Sequence, residues 1–175
     1  MATKLENLDL QIAHFNNFIS QLPGIDQHCK DTVTYLLKLG IIEVSTAFEQ
    51  VLGNIGGHAV VSKDKGDLYR NGKYSDAKLA TVRTSGYGKS YRAPVTNIHG
   101  KTGVLRVQVY ERKQNKFYYF AFPRHTYKDI PKSSNIDIPF ELDGTPRRVP
   151  LRSVFVNWWK YEVPSLEIVA KKYAA

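Results

Sequence analysis

Gly66-Asp67-Leu68-Tyr69-Arg70-Asn71-Gly72-Lys73-Tyr74-Ser75-Asp76-Ala77-Lys78 is the stretch on which the reading of this chain turns. Asn-Gly between two short strand-like runs is the strongest short-range signal for a two-residue hairpin loop. Such a loop pairs Arg70 with Lys73, Tyr69 with Tyr74 and Leu68 with Ser75, and it sets Asp67 against Asp76. Directly opposed Cβ atoms lie about 5 Å apart, where like charges repel. The two carboxylates therefore need a proton or a cation between them. Lys78 follows Asp76 by two residues and projects from the same face of a strand. Carboxylate oxygens, completed by water and substrate phosphate, are what Mg²⁺ takes as ligands.

Upstream of the hairpin the pattern is helical. Leu8, Ile12, Phe15, Ile19 and Leu22 recur at four- and three-residue spacing, one stripe of a helix, and Pro23-Gly24 ends it. A second helix starts near Asp26, carries Val33, Leu36 and Leu37, and stops at Gly40. A third covers roughly Ile41 to Leu52, closed by Gly56-Gly57. Downstream the period changes. Residues 58–82 read as strands and 83–103 as a glycine-containing loop region with Pro94. Val104–Tyr110 and Phe117–Phe122 read as a second hairpin across the polar turn Arg112 to Lys116. Residues 123–152 hold five of the eight prolines and read as irregular connections with short strands. Val154–Trp159 reads as an aromatic-rich strand or core segment, with Trp158-Trp159 in the core, and residues 165–173 as a short final helix. The expected class is α+β, a helical N-terminal region followed by a mixed β-sheet with flanking helices.

With 175 residues the chain suits one domain with a sizeable core. The single cysteine, Cys29, excludes an internal disulfide framework and a Cys-rich zinc module, and its place on an apolar helix reads as core. The five histidines show no paired metal-ligand spacing. No apolar run reaches membrane-spanning length, and Met1 to Glu6 lacks the pattern of a secretory signal, so an intracellular protein without a membrane partner is expected.

The net charge of +9 is unevenly spread. Residues 1–60 carry three basic and six acidic residues, a net of −3, whereas residues 61–175 carry 22 and 10, a net of +12. Between Asp76 and Glu111 there is no acid at all. Basic residues interleaved with Tyr, Ser, Thr and Asn suit a phosphate backbone and base edges.

Gly66-Asp67, eight residues, then Asp76-Ala77-Lys78, with a helix before and strands after, resembles the PD-(D/E)XK nucleases over roughly residues 43–122. The size and helical N-terminus are most similar to a compact type II restriction endonuclease. The resemblance implies an α/β restriction-endonuclease-like core in a single nuclease domain, 1–175. Residues 1–57 would be helical and dimerising, 58–122 the catalytic sheet, and 123–175 its completion. It assigns the metal-binding acids to Asp67 and Asp76, the catalytic lysine to Lys78, and the family's helix glutamate to Glu49. It implies one or two Mg²⁺ ions and double-stranded DNA as substrate, cut to a 5′-phosphate and a 3′-hydroxyl. Cutting both strands implies a twofold homodimer, working in a prokaryotic cytoplasm with access to the nucleoid. Two departures stand out: Gly66 replaces the nominal proline, and Asp76 takes a position more often Glu. Glu49 has a second reading, as the partner of Thr46 in a capping box.

The loop leaving Lys78 emerges from the candidate active-site strand. Ser85, Tyr87, Lys89, Ser90, Tyr91, Arg92, Asn97 and His99 are therefore the candidate sequence readers, and Arg83, Lys101, Arg112, Arg124 and Arg147 the candidate phosphate clamps. Asn97 and His99 equally suit a packing role in their loop. A rival motif, Glu111-Arg112-Lys113 with Asp76 upstream, reads more simply as solvated turn residues. Two other function classes stay open: a homing or junction-resolving nuclease, and a nucleic-acid-binding protein without chemistry.

Overall fold

The structure is a computed structural model that describes residues 4–84, 88, 90–148 and 156–173. It is a mixed α+β fold. Helices α1 (Lys4–Ile19), α2 (Gln27–Lys38) and α3 (Val44–Gly56) precede strands β1 (Ala59–Lys63), β2 (Gly66–Arg70) and β3 (Lys73–Thr81). Strands β4 (Arg83–Thr84), β5 (Tyr91–Val95), β6 (Val104–Glu111), β7 (Lys116–Phe122), β8 (Ile136–Phe140) and β9 (Glu162–Val163) follow, and α4 (Leu166–Lys171) comes last.

The helix boundaries follow from local chemistry. The Asp26 side chain accepts from the Cys29 backbone N–H and caps α2, satisfying one of the orphan donors of a helix start. Gly40, at φ +72°, follows its last turn. Gly57 closes α3 in the left-handed conformation that glycine adopts without steric cost. Because α3 begins at Val44, Thr46 lies inside the helix, and the capping-box reading of Glu49 is overturned. Cys29 is exposed, against its reading as a core residue, because α2 turns that face to solvent.

Six strands form one sheet in the order β1-β2-β3-β6-β7-β9. Every neighbouring pair is antiparallel except β3 and β6, which run parallel from Ser75↔Val104 to Thr81↔Tyr110. A parallel pair needs a crossover, and residues 82–103 supply it. That segment, read from sequence as loop, contains β4 and β5, which join β8 in a second sheet of three strands. Tyr91, Ala93 and Val95 alternate inward along β5. Pro94 is tolerated because β4 reaches only as far as Tyr91 and Arg92, leaving that edge of β5 unpaired at Pro94. Of the two readings of 154–159, strand or core segment, the second holds for its end: Trp158–Tyr161 is a short 3-10 helix with both tryptophans buried, and residues 154–155 lie outside the described ones.

The large sheet has a core on each face. Ala77 of β3 and Leu68 of β2 meet Phe15, Phe18, Phe48, Leu52 and Val169 of the helices. Ala80 of β3, with Leu105, Val107 and Val109 of β6, meets the second sheet through Ala93, Val95, Ile138 and Phe140. The layers are therefore helices, sheet, sheet, and β3 lies between both cores. The helices expected to dimerise use their apolar stripes on the sheet, though Tyr35 and Leu39 near the end of α2 and Ile41 beyond it stay exposed.

A polar seam runs through the helical side. Gln108 Nε2 donates to His14 Nδ1 (3.0 Å), so the neutral ring carries its proton on Nε2 and offers it to Thr81 Oγ1 (3.1 Å). Asn17 Nδ2 donates to Gln108 Oε1 (3.0 Å) and to Tyr119 Oη (2.9 Å). Burial holds the His14 ring neutral, drawing its pKa from 6.5 to about 4. The unfolded chain therefore binds an extra proton between those pH values, and stability falls as pH drops from 6.5 toward 4. The loss from this residue should reach up to about 3 kcal/mol. Urea denaturation across that range should show the slope, and His14→Gln should flatten it.

Two glycines are required by close approach. A Cβ on Gly103 would lie 1.5 Å from the Tyr74 carbonyl oxygen, and one on Gly66 2.5 Å from that of Ser75. The departure from proline at position 66 thus has a steric reason: β3 runs too close for any side chain. Gly103→Ala should cost about 2–3 kcal/mol in urea denaturation by forcing β3 from β6. A loss below 1 kcal/mol would show that the backbone relaxes there.

Candidate active site

The ladder between β2 and β3 has the register that Asn71-Gly72 dictates: Arg70↔Lys73, Tyr69↔Tyr74 and Leu68↔Ser75. Asn71 and Gly72 take φ of +49° and +79°, the left-handed pair of a tight hairpin turn. One step further along the ladder the carboxyl groups of Asp67 and Asp76 stand close enough to shift one another's pKa in opposite directions. The structure therefore brings together the two acids that the sequence set against each other.

Asp76 is only 1% exposed. Lys78 Nζ stands 2.8 Å from its Oδ2, and Lys101 Nζ stands 3.3 Å from its Oδ1. The repulsion of two facing carboxylates is resolved by both available means, a proton and cations. Burial, then the hydrogen bond to Asp76, then the charges of Asp76 and Glu49 push Asp67 up to about 7. Burial also pushes Asp76 up, but the hydrogen bond from Asp67 and the ammonium groups of Lys78 and Lys101 outweigh it and leave Asp76 below its ordinary value. Asp67 is the member that holds the proton and donates it to the Asp76 carboxylate.

Glu49 of α3 is half-buried, and burial and then the Asp76 charge raise its pKa. It is thus electrostatically part of the cluster. Among the described residues, however, no three His, Cys, Asp or Glu side chains converge into a metal-ligand group. The donor set is the Asp67–Asp76 pair. That suits Mg²⁺, which keeps several waters and takes one or two carboxylates from a protein.

Two residues join the site that sequence reasoning placed elsewhere or missed. Lys101 was expected to clamp phosphate but is an ion-pair partner of Asp76. Tyr127, in the segment after β7, is buried, donates to the Gly103 carbonyl and feels the Asp76 charge. Burial raises its pKa most, against the pull of Arg124, whose guanidinium stacks over the Tyr127 ring at 4.9 Å.

The candidate DNA contacts divide. Arg83 and Arg92 are exposed and directly opposite on β4 and β5, and Arg92 is ion-paired with Asp137 at 3.0 Å. Asn97, at φ +54°, and His99 are exposed, and His99 Nε2 lies 3.2 Å from the Ser134 carbonyl. Arg112 is exposed at its turn, Arg124 and Ser90 are half-buried, and Ser85, Tyr87 and Lys89 lie outside the described residues. One assignment is corrected. Tyr91 is buried and its hydroxyl donates to Glu111 Oε1 (2.5 Å), so it faces the core rather than a base edge. Arg147 is engaged by both oxygens of Glu141, at 2.9 and 2.8 Å. Glu111, read as a solvated turn residue, is fully buried and accepts from the Lys113 and Gln114 backbone N–H groups. It organises its turn, which removes Glu111-Arg112-Lys113 as a rival site.

No family model, curated protein or solved structure matches this chain. No helix among the described residues is long and apolar enough to cross a membrane.

A site-specific titration checks the proton-sharing pair. In metal-free protein, carbon-13 NMR should show the Asp67 carboxyl titrating near 7. Asp76→Asn removes a charge that raises Asp67, and should move that titration to lower pH. An Asp67 that titrates near 4 in the unmodified protein would show the carboxylates standing apart.

Proposed function

We propose that the chain is a Mg²⁺-dependent, sequence-specific endonuclease acting on double-stranded DNA, of the PD-(D/E)XK type and most like a small type II restriction enzyme. The observation that carries this reading is the Asp67–Asp76 pair with Lys78 Nζ 2.8 Å from Asp76. Three residues expected from the sequence to share one task are within reach of one another. The parallel pairing of β3 with β6 and the helices against the sheet are compatible with a restriction-endonuclease-like core.

Asp67 and Asp76 would hold the ion, and the charge of Glu49 would add to the local negative potential. A bound Mg²⁺ supplies polarisation of the phosphoryl oxygen and a more acidic water. The protein's own residues do the rest. Asp67 gives up its proton as it becomes a ligand, so the site loads more readily as pH rises through about 7. Lys78, held on Asp76, orients the attacking water and stabilises charge developing on the phosphoryl oxygens. Lys101, on the other oxygen of Asp76, keeps that carboxylate anionic at low cost. The exposed pair Arg83 and Arg92 on the outer face of the second sheet supports backbone contact. Cutting both strands would take two copies of the chain.

A second reading rests on one observation: Asp76 already has an ammonium on each oxygen. A charge balanced in that way needs no metal, and the chain could bind nucleic acid without cutting it.

Plasmid DNA incubated with Mg²⁺ separates the two. The nuclease reading expects discrete fragments, with Asp76→Ala and Lys78→Ala each reducing the rate at least about 100-fold while DNA binding persists. Intact plasmid under Mg²⁺ and Mn²⁺, together with tighter binding by Asp67→Ala, would favour the binding protein. Cuts confined to one long site or to four-way junctions would assign a homing or resolving duty.

A further inference from the structure

Asp76 and its neighbour Ser75 point to opposite faces of β3, and around Ser75 lies a cavity of about 410 Å³. Its wall includes Lys65, Arg70, Arg106 and His58 and, among the described residues, no carboxylate. Such a concentration of cations with no acid among them repels itself and raises the local potential for anions.

Arg106 is the sharpest case. It is 1% exposed, and no acid pairs with it among the described residues. Its guanidinium donates from Nε to Ser75 Oγ (3.1 Å) and from Nη1 to the carbonyls of Val169 and Lys172, the latter at 2.9 Å. Those carbonyls belong to the C-terminal end of α4, which carries partial negative charge. Arg70 is held the same way: Nη1 donates to the Gly56 carbonyl (2.6 Å) at the end of α3. Two guanidinium groups are thus fixed by helix ends, and no carboxylate among the described residues compensates their charge. His58 turns Nε2 to the Ala170 carbonyl (3.0 Å), while its buried Nδ1 has no hydrogen-bond partner among the described residues. Burial, with Arg106 and Arg70 adding to it, lowers the His58 pKa against the pull of the Ala170 carbonyl, as expected beside excess positive charge. A buried cation is costly unless something of opposite sign meets it.

We propose that this cavity binds a phosphate group carried on a ligand of about nucleotide size. The guanidinium of Arg70 suits phosphate oxygens, the buried Arg106 adds its charge behind Ser75, and the exposed Lys65 adds a point charge. The volume lies within the range of about 300–1,000 Å³ for small-molecule sites. Tyr173 in the wall gives a sugar or base an aromatic surface. The phosphate comes from a free mononucleotide or from the end of a nucleic-acid strand. Because β3 separates the cavity from Asp76, this site stands whether or not the chain cuts DNA.

Calorimetric titration of the full chain at constant ionic strength tests it. Inorganic phosphate and deoxyadenosine 5′-monophosphate should bind, and deoxyadenosine should not. Lys65→Glu, an exposed change, should weaken the nucleotide about ten-fold or more, whereas Lys38→Glu on α2 alters net charge equally and should leave it unchanged. Nucleotide binding should also raise the His58 titration seen by NMR. Preference for a 5′-phosphorylated oligonucleotide over its 5′-hydroxyl counterpart identifies the strand end as the source, and binding of the mononucleotide alone identifies the free ligand. The proposal is overturned if no phosphate probe binds, or if Lys65→Glu and Lys38→Glu act alike.

Discussion

A β-strand sends successive side chains to opposite faces, and in this protein that alternation along β3 sets the terms for everything else. Ser75, Ala77, Leu79 and Thr81 are spaced to meet the helices, while Asp76, Lys78 and Ala80 are spaced to meet the second sheet. The strand has neighbours on both sides, β2 antiparallel and β6 parallel. It is therefore held in register by two ladders. A slip of one residue would exchange its faces, placing the Asp76 carboxylate among Phe48 and Leu52 and Ala77 beside Lys101. The register is the condition for both hydrophobic cores and for both charged sites.

The charges use that condition in opposite ways. On one face an acid pair is stabilised by sharing a proton and by two ammonium groups, so a buried carboxylate survives with local balance. On the other face Arg106 is buried against Ser75 and the carbonyls at the end of α4, with no acid paired to it among the described residues. Burial draws its pKa down to about 10, which still leaves it charged at neutral pH. The acid cluster is nearly self-sufficient, whereas the basic one is electrostatically incomplete. The difference explains why the acid site can be read as catalytic or as merely structural, while the basic cavity points outward to a ligand.

Much of this was legible because it is local. Asn71-Gly72 determines a two-residue turn, and a two-residue turn determines its pairs, so the opposition of Asp67 and Asp76 followed by counting. The stops at Gly40 and Gly57 and the cap at Asp26 depend on one or two peptide units and were equally visible. What was misread depends on partners far along the chain. Tyr91 looked like a base reader until Glu111, twenty residues on, claimed its hydroxyl. Lys101 looked like a phosphate clamp because nothing local shows that β6 lies parallel to β3. Glu111 looked solvated because its turn is polar, yet a buried carboxylate collects that turn's N–H groups.

The amino-acid sequence by itself determined the hairpin, its register and the three residues that face one another across it, because strand pairing at a tight turn is a matter of backbone geometry. Only the tertiary structure decided which charges surround them. Lys101 reaches Asp76, and Arg106 meets the end of α4 far from it in sequence, through the packing of the crossover and of α4. Electrostatic environment is summed over neighbours in space, and no local pattern carries that sum.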